Sequence, residues 1–254
     1  VAPIGRSADE VYRATYQRVA DKNRAFFARF PHAQAIANRL ATHLHRHDVR
    51  LPNGQRLTVE QLQQQGLDLG ASGAFEELYY LLEDAFIGER INPAFLYKVQ
   101  AIQPFNTNPV FAILHEAIYC EGAASNWAAE RVRAEFPALA WAPGKDFAFT
   151  GEMIFPWMFE QFRELMPLKE AAHLLAQKAD WGPLYDQAQL ARNRVPVACA
   201  VYAEDMYVEF DYSRDTLRGL GNSRAWITNE YEHNGLRVDG EQILDRLIRL
   251  NRGC

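Results

Sequence analysis

The sequence predicts an α/β chain whose first three quarters are helical and whose last quarter alternates strand and helix. Three observations carry that expectation. Up to about residue 190, apolar residues recur at helical steps, and most segments open on an Asn, Ser, Thr or Pro start signal. Near residue 194 the pattern changes to a β-branched apolar run ending in acids, "VPVACAVYAED" (195–205). A second run, "RAWITNEYEH" (224–233), and an amphipathic segment, "GEQILDRLIRLN" (240–251), complete a β-α-β-α tail.

Each element has its own signal. Residues 7–30 open with Ser7 and Glu10 at capping-box spacing. Val11, Tyr12, Tyr16, Val19, Phe26, Phe27 and Phe30 then fall on helical steps, and Pro31 ends the helix. A second helix fits 33–47. "LPNGQRLT" (51–58) reads as a tight turn on Asn53-Gly54, and Thr58 caps a short helix to about Gln65. In "LGASGAFEELYYLLEDAF" (69–86), Ser72 is expected to cap a helix rich in leucine and tyrosine. Further helices fit 93–103, 109–120, 125–136, 151–165 and 168–180. The tail adds a buried strand over 195–205, a helix over 211–220, a strand over 224–233 and the terminal helix. Two strands do not make a stable open sheet alone. An exposed apolar edge beside 195–205, and a tendency to associate, are therefore expected.

Composition narrows the function classes. Hydrophobic residues make up 48% of 254, with 23% charged, which fits an ordinary globular chain. A net charge of −5 argues against a nucleic-acid or anionic-membrane partner, since both require concentrated basic surface. Cys120, Cys199 and Cys254 form no disulfide framework, so a cytoplasmic compartment is expected. No apolar run approaches a membrane span, and "VAPIGRSADE" has no signal-peptide pattern. The first residue is not Met, which suggests processing or a piece of a longer chain.

Two residues in the tail carry catalytic promise. Asp205 ends the first strand and His233 follows the second. Catalytic groups of open α/β sheets gather beyond the carboxyl ends of strands. An acid after one strand and a histidine after a later one match the chain order serine, acid, histidine. In that chemistry the histidine takes a hydroxyl proton and the carboxylate fixes its tautomer. The bland alternative is a solvated loop histidine and a turn aspartate.

Longer strings carry a resemblance. "LHEAIYCEGAASNWAAERV" (114–132), "FTGEMIFPWMFEQF" (149–162), "VPVACAVYAEDMYVEFDYSRDT" (195–216) and "NEYEHNGLRVDGEQILDRL" (229–247) resemble the C-terminal portion of bacterial proline iminopeptidases, serine aminopeptidases of the α/β-hydrolase fold. The resemblance implies that residues 1–190 are a mostly helical cap domain and 191–254 the last β-α-β-α units of the hydrolase domain. It implies Asp205 as triad acid and His233 as triad base. It implies Glu116 and Glu152 as anchors for the amine of a peptide or amide with N-terminal proline. A buried ammonium needs such a carboxylate partner. On the residues alone, Glu116 reads equally as an exposed position of an amphipathic helix. Glu152 reads equally as a first-turn carboxylate facing a helix dipole.

The nucleophile is where the chain departs from that family. None of Ser7, Ser72, Ser125, Ser213 and Ser223 lies in a Gly-x-Ser-x-Gly elbow. The nearest string, "GASGA" (70–74), lacks the second glycine and a preceding strand. The glycine-rich oxyanion loop is missing as well. The expectation is a chain that lacks the serine-bearing N-terminal half of the hydrolase, and that half is its expected partner. The alternative is a non-catalytic helical binding module derived from a hydrolase. No cofactor is expected, since there is no glycine-rich phosphate loop. His43 and His47 of "HLHRH" share a helical face without a third metal ligand, so no metal site is expected either.

Overall fold

The capping box at the start of the chain forms. Ser7 Oγ accepts from the Glu10 amide, the Glu10 side chain accepts from the Ser7 amide, and α1 runs Ala8–Arg29. Its apolar stripe (Val11, Tyr12, Tyr16, Val19 and Phe26) is fully buried. Pro31 stops α1 and serves as the first residue of α2, Pro31–Arg46, where a missing amide is harmless. The Asn53-Gly54 turn forms with Gly54 at φ +85°, and Arg50 pairs antiparallel with Arg56. Thr58 caps α3, Val59–Gln63, which tightens into a 3-10 turn over Gln64–Gly70. The computed structural model describes residues 1–103, 105 and 107–253.

After that turn the helices are shorter than periodicity suggests. α4 (Ala74–Glu83) starts on Gly73 at φ +84°, a left-handed position, so Ser72 is not its cap. A two-residue hairpin follows, β1 (Phe86–Ile87) with β2 (Arg90–Ile91), which the sequence did not suggest. α5 is Pro93–Ala101, capped by Asn92. The helix expected over 109–120 divides at His115 into α6 (Pro109–Leu114) and a 3-10 turn. The one expected over 125–136 shrinks to α7 (Ala128–Arg133), because Asn126 and Trp127 are left-handed.

The helix expected over 151–165 survives only as α8, Met158–Gln161. The reason lies in its partners. Asn23 bonds both the amide and the carbonyl of Phe149. Gln63 donates to Ala148 O, and Gln64 to Gly151 O. Side chains from α1, α3 and the 3-10 turn thus satisfy the backbone entering this stretch, which a helix would otherwise satisfy internally. Phe147, Phe149, Met153, Ile154 and Phe155 are all buried, which a one-faced helix does not allow. Phe149 packs on α1, edge-to-face against Phe26 at 5.7 Å and stacked on Phe27.

α9 (Lys169–Gln177) and the unforeseen α10 (Gln187–Ala191) lead into the tail. There β3 (Val197–Tyr202) pairs in parallel with β4 (Ser223–Thr228), joined by α11 (Phe210–Gly219). The register runs from Val197 opposite Ser223 to Tyr202 opposite Thr228. Within β3 only Val201 is buried, so the strand read as buried is half-exposed, with no second neighbour among the described residues. α12 begins earlier than expected, Gly235–Arg252, and breaks at Asp239. Among the described residues no helix is long and apolar enough to cross a membrane.

Candidate active site

Asp205 and His233 meet beyond the carboxyl ends of β3 and β4. Ala203 N still donates to Thr228 O, and the chain then turns so that Asp205 is 4% exposed. Asp205 Oδ1 accepts from the amides of Tyr207 (2.8 Å) and Val208 (2.9 Å). Asp205 Oδ2 lies 2.9 Å from His233 Nδ1. Two backbone donors on one oxygen fix the carboxylate plane and leave the other oxygen for the ring. With Asp205 ionised, Nδ1 holds the proton, and Nε2 keeps a free lone pair. The Asp205 hydrogen bond raises the His233 pKa above the ordinary imidazole value, against the opposing effect of burial.

The helical part braces both loops. His233 N donates to Gly70 O, and Ser72 N donates to Asn234 Oδ1. From α1, Lys22 pairs with Glu232, and Arg18 pairs with Glu209 at 2.7 Å. Glu209 in turn caps α11. A side chain at Gly70 would come within 2.5 Å of the Tyr207 ring, so only glycine permits this approach.

His233 opens on a cavity of about 420 Å³, lined also by Glu152, Gln64, Asp68, Phe111 and Arg237. The Glu152 carboxylate has no hydrogen-bond or ion-pair partner among the described residues. Burial pushes its pKa up to about 7, with His233 pulling it down and Asp205 pushing it further up. It sits at a bend in the non-helical stretch before α8, so the first-turn dipole reading does not apply. Beside it, burial depresses the pKa of His115 to about 4; this ring is neutral and hydrogen-bonds the Glu152 main chain.

Glu116 is placed elsewhere. It is 6% exposed, not on an open helix face, and accepts from Ala129 N (2.9 Å) and Ala128 N (3.2 Å) at the start of α7. Burial raises its pKa, while bonds from Ala129, Ser125 and Ala128 oppose the rise. It does not line the cavity beside His233. Asp205, His233 and Glu152 therefore come together, and Glu116 stands behind them as an internal cap.

Four of the five serines are committed to other work. Ser7 caps α1, and Ser125 bonds Glu116. Ser213 Oγ donates to Val1 O, and Ser223 Oγ to Leu217 O and Leu220 O. Ser72 alone lies against the His233 loop, through its backbone, and its hydroxyl has no partner among the described residues. The rings of His43 and His47 pack together at 4.4 Å, and no metal-holding group of three or more His, Cys, Asp or Glu occurs among the described residues. Cys120 is a buried thiol whose pKa is pushed up to about 11, and Cys199 is half-buried. Cys254 lies outside the described residues. Sequence reasoning missed Tyr207, Lys22 and the buried glutamines. The glutamine run "QLQQQ" (61–65) was the available signal: it is polar where a helix should turn inward.

A parallel pair of strands carrying a hydrogen-bonded acid and histidine at their carboxyl ends is the arrangement of an α/β hydrolase. A family model for the alpha/beta hydrolase fold matches residues 2–147, and the chain belongs to that family. A protein named proline iminopeptidase from Aeromonas sobria is 93% identical over 254 residues, covering 100% of this chain and 60% of the relative. Proline iminopeptidase aneH from Aspergillus aculeatus is 30% identical over 257 residues, covering 98% of this chain and 56% of the relative. The chain thus spans a little over half the length of these relatives.

Proposed function

We propose that this chain forms the acid–base and amine-binding part of a cytoplasmic serine aminopeptidase that releases N-terminal proline from peptides. The observation that carries the reading is the Asp205–His233 pair opening on a cavity that holds the unpartnered Glu152. The similarity to proline iminopeptidases supports the substrate class. In this reading residues 1–190 are the cap and 191–254 the last units of the hydrolase domain. The serine and its oxyanion donors belong to the length that the relatives have beyond the match.

The geometry suits both proton transfers. His233 Nε2 takes the serine proton as the hydroxyl attacks the prolyl carbonyl. Asp205 stabilises the resulting imidazolium, which then protonates the departing amine. Glu152, titrating near neutrality, ionises when the cationic proline nitrogen enters, because an opposite charge favours the carboxylate. Glu116 supports this from behind by fixing the start of α7. Phe111 supplies apolar wall for the pyrrolidine ring.

The test is hydrolysis of proline p-nitroanilide by the chain alone and by the chain joined to the unmatched portion of the Aeromonas sobria relative. The expected result is turnover only by the joined protein, abolished by His233→Ala. Turnover by the chain alone that is lost in Ser72→Ala would move the nucleophile to Ser72, the one serine beside the His233 loop. Silence in both would leave a non-catalytic binding module.

A further inference from the structure

Beyond the acid, base and amine site, one residue contacts both the acid and the base. Tyr207 lies two positions after Asp205, and its amide is one of the two donors on Asp205 Oδ1. Its ring stands edge-on to the His233 imidazole, with centroids 4.7 Å apart at 63°. Its hydroxyl donates to Leu67 O at 2.6 Å and accepts from Gly70 N at 3.3 Å. Gly70 O accepts the His233 amide, so Tyr207 and His233 hang from the same glycine. A Cβ at Gly70 would strike the Tyr207 ring and Met206 Cβ, so this contact leaves no slack.

We propose that Tyr207 is a positioning residue that holds the His233 imidazole on Asp205, with its own ring anchored by the Gln64–Gly70 turn of the helical part. Nδ1 must stay on Asp205 while Nε2 exchanges protons. The imidazole is half-exposed, and its only side-chain hydrogen bond among the described residues is the one to Asp205. One bond does not prevent rotation about the Cβ–Cγ axis, which would swing Nδ1 off the carboxylate. A ring packed edge-on does prevent it, provided that ring cannot itself move, and the two hydroxyl bonds meet that condition. Their anchor is the same turn whose Gln64, Gln65, Leu67 and Asp68 line the cavity, so the wall that meets a ligand also sets the base.

This inference rests on His233 being the base of the proposed hydrolysis, yet its first test does not need turnover. The probe is histidine-labelled ¹⁵N NMR of the chain itself, reading the tautomer and titration of His233. The charged groups acting on that ring are Asp205, Glu152 and the N-terminal amine, with Asp68 and Arg237 lining the same cavity and Glu232 paired to Lys22; all stay unchanged in the variants. The unsubstituted chain should show a single Nδ1–H tautomer titrating above the ordinary imidazole value. Tyr207→Leu, which removes ring and tether, should lower that titration and bring in the Nε2–H tautomer. Tyr207→Phe keeps the ring but cuts the tether, and should show the same changes to a smaller degree.

Wild-type tautomer and titration in both variants would overturn the proposal. If the Leu variant does not fold, the Phe variant decides alone, a second tautomer supporting the clamp and its absence refuting it. In the joined protein, Tyr207→Phe should lower kcat for proline p-nitroanilide several-fold with KM nearly unchanged, and Tyr207→Leu should lower it further. Equal loss in kcat and gain in KM would mark Tyr207 as a cavity wall only and overturn the positioning role. No turnover in the unsubstituted joined protein would instead remove the hydrolysis reading and leave the NMR result to judge the clamp.

Discussion

The helical body and the β3-α11-β4-α12 tail bury their apolar residues very differently. The body's stripes close on each other: Tyr12, Tyr16, Phe26, Phe149, Phe155 and Phe162 are all essentially inaccessible. Among the described residues of the tail only Val201, Met206 and Ile243 are buried apolar positions, while Val195 is 67% exposed, Leu236 56%, Leu244 53% and Ile227 49%. What joins the two is largely polar. Arg6 pairs with Asp215, Arg18 with Glu209 and Lys22 with Glu232, and Tyr212 donates to Glu10 O. The difference teaches where precision comes from. The tail has too little core of its own to hold a catalytic loop rigid, so the loops of Asp205 and His233 take their order from the body they lean on.

The sharpest way to break that arrangement is at the seam itself. Asp205→Asn keeps the shape and loses the charge, so His233 is no longer held as the Nδ1–H tautomer. In the joined protein the expected loss is on the order of 10⁴-fold in kcat, the size seen when a triad carboxylate is neutralised. Thermal unfolding should move little by comparison. A loss in kcat below about tenfold would show that the pair is not the acid–base unit.

The next effect lies wholly in the body. Gly66 packs against the segment that carries Glu152; a Cβ there would sit 2.3 Å from both Phe149 Cβ and Thr150 O. Neither neighbour is the end of a flexible side chain. Gly66→Ala should cost about 3 kcal/mol in urea unfolding, in the range of overpacked cores. Because the displaced segment leads to Glu152, cavity-dependent activity should fall with it. An unchanged unfolding midpoint would show that the 147–152 segment yields, and that the body is less closed than its burial indicates.

These cases mark how far the sequence was legible. Local signals were readable: the Ser7–Glu10 box, the Asn53-Gly54 turn, and the acid and histidine at strand ends all depend on neighbours within a few positions. Residues 151–157 were misread as helix because Asn23, Gln63 and Gln64, distant in sequence, satisfy the adjoining backbone instead. Ser72 was misread as a cap for a similar reason. Its amide answers Asn234, 162 positions away, and Gly73 takes the left-handed position. Glu116 and Glu152 were legible as acids among apolar residues, but not as one internally capped and one left open. The β3 pattern promised burial that the tail alone does not supply.

A moderate effect separates the two glutamates. The Glu152 pKa is pushed from the usual 4.5 to about 7. Between those values the folded state binds more protons than the unfolded state, so stability falls as pH rises through that window. Glu152→Gln removes the fall. The variant should therefore match the parent near pH 4 and exceed it by roughly 3 kcal/mol at pH 8, read from urea midpoints at the two pH values. Glu116→Gln has backbone donors to answer and should show no such gain. A flat difference across pH for Glu152→Gln would mean its carboxylate is better solvated than its place in the cavity implies.

The smallest change in stability should come from the tail's exposed apolar positions, and there the sign matters more than the size. Val195 precedes β3, Ile227 lies within β4, and Leu244 and Ile248 lie on α12. None has core neighbours to lose, so replacing any one with serine should alter unfolding by no more than about 0.5 kcal/mol. Self-association should respond far more. An exposed apolar patch beside an unpaired strand edge favours contact between copies. Sedimentation of the parent chain should show concentration-dependent association that Val195→Ser with Ile227→Ser weakens. A parent that stays monomeric at high concentration would mean the polar seam already orders the tail enough to keep its edge unavailable. A large stability loss on substitution would mean these side chains are packed in solution, and that the tail is as finished as the body.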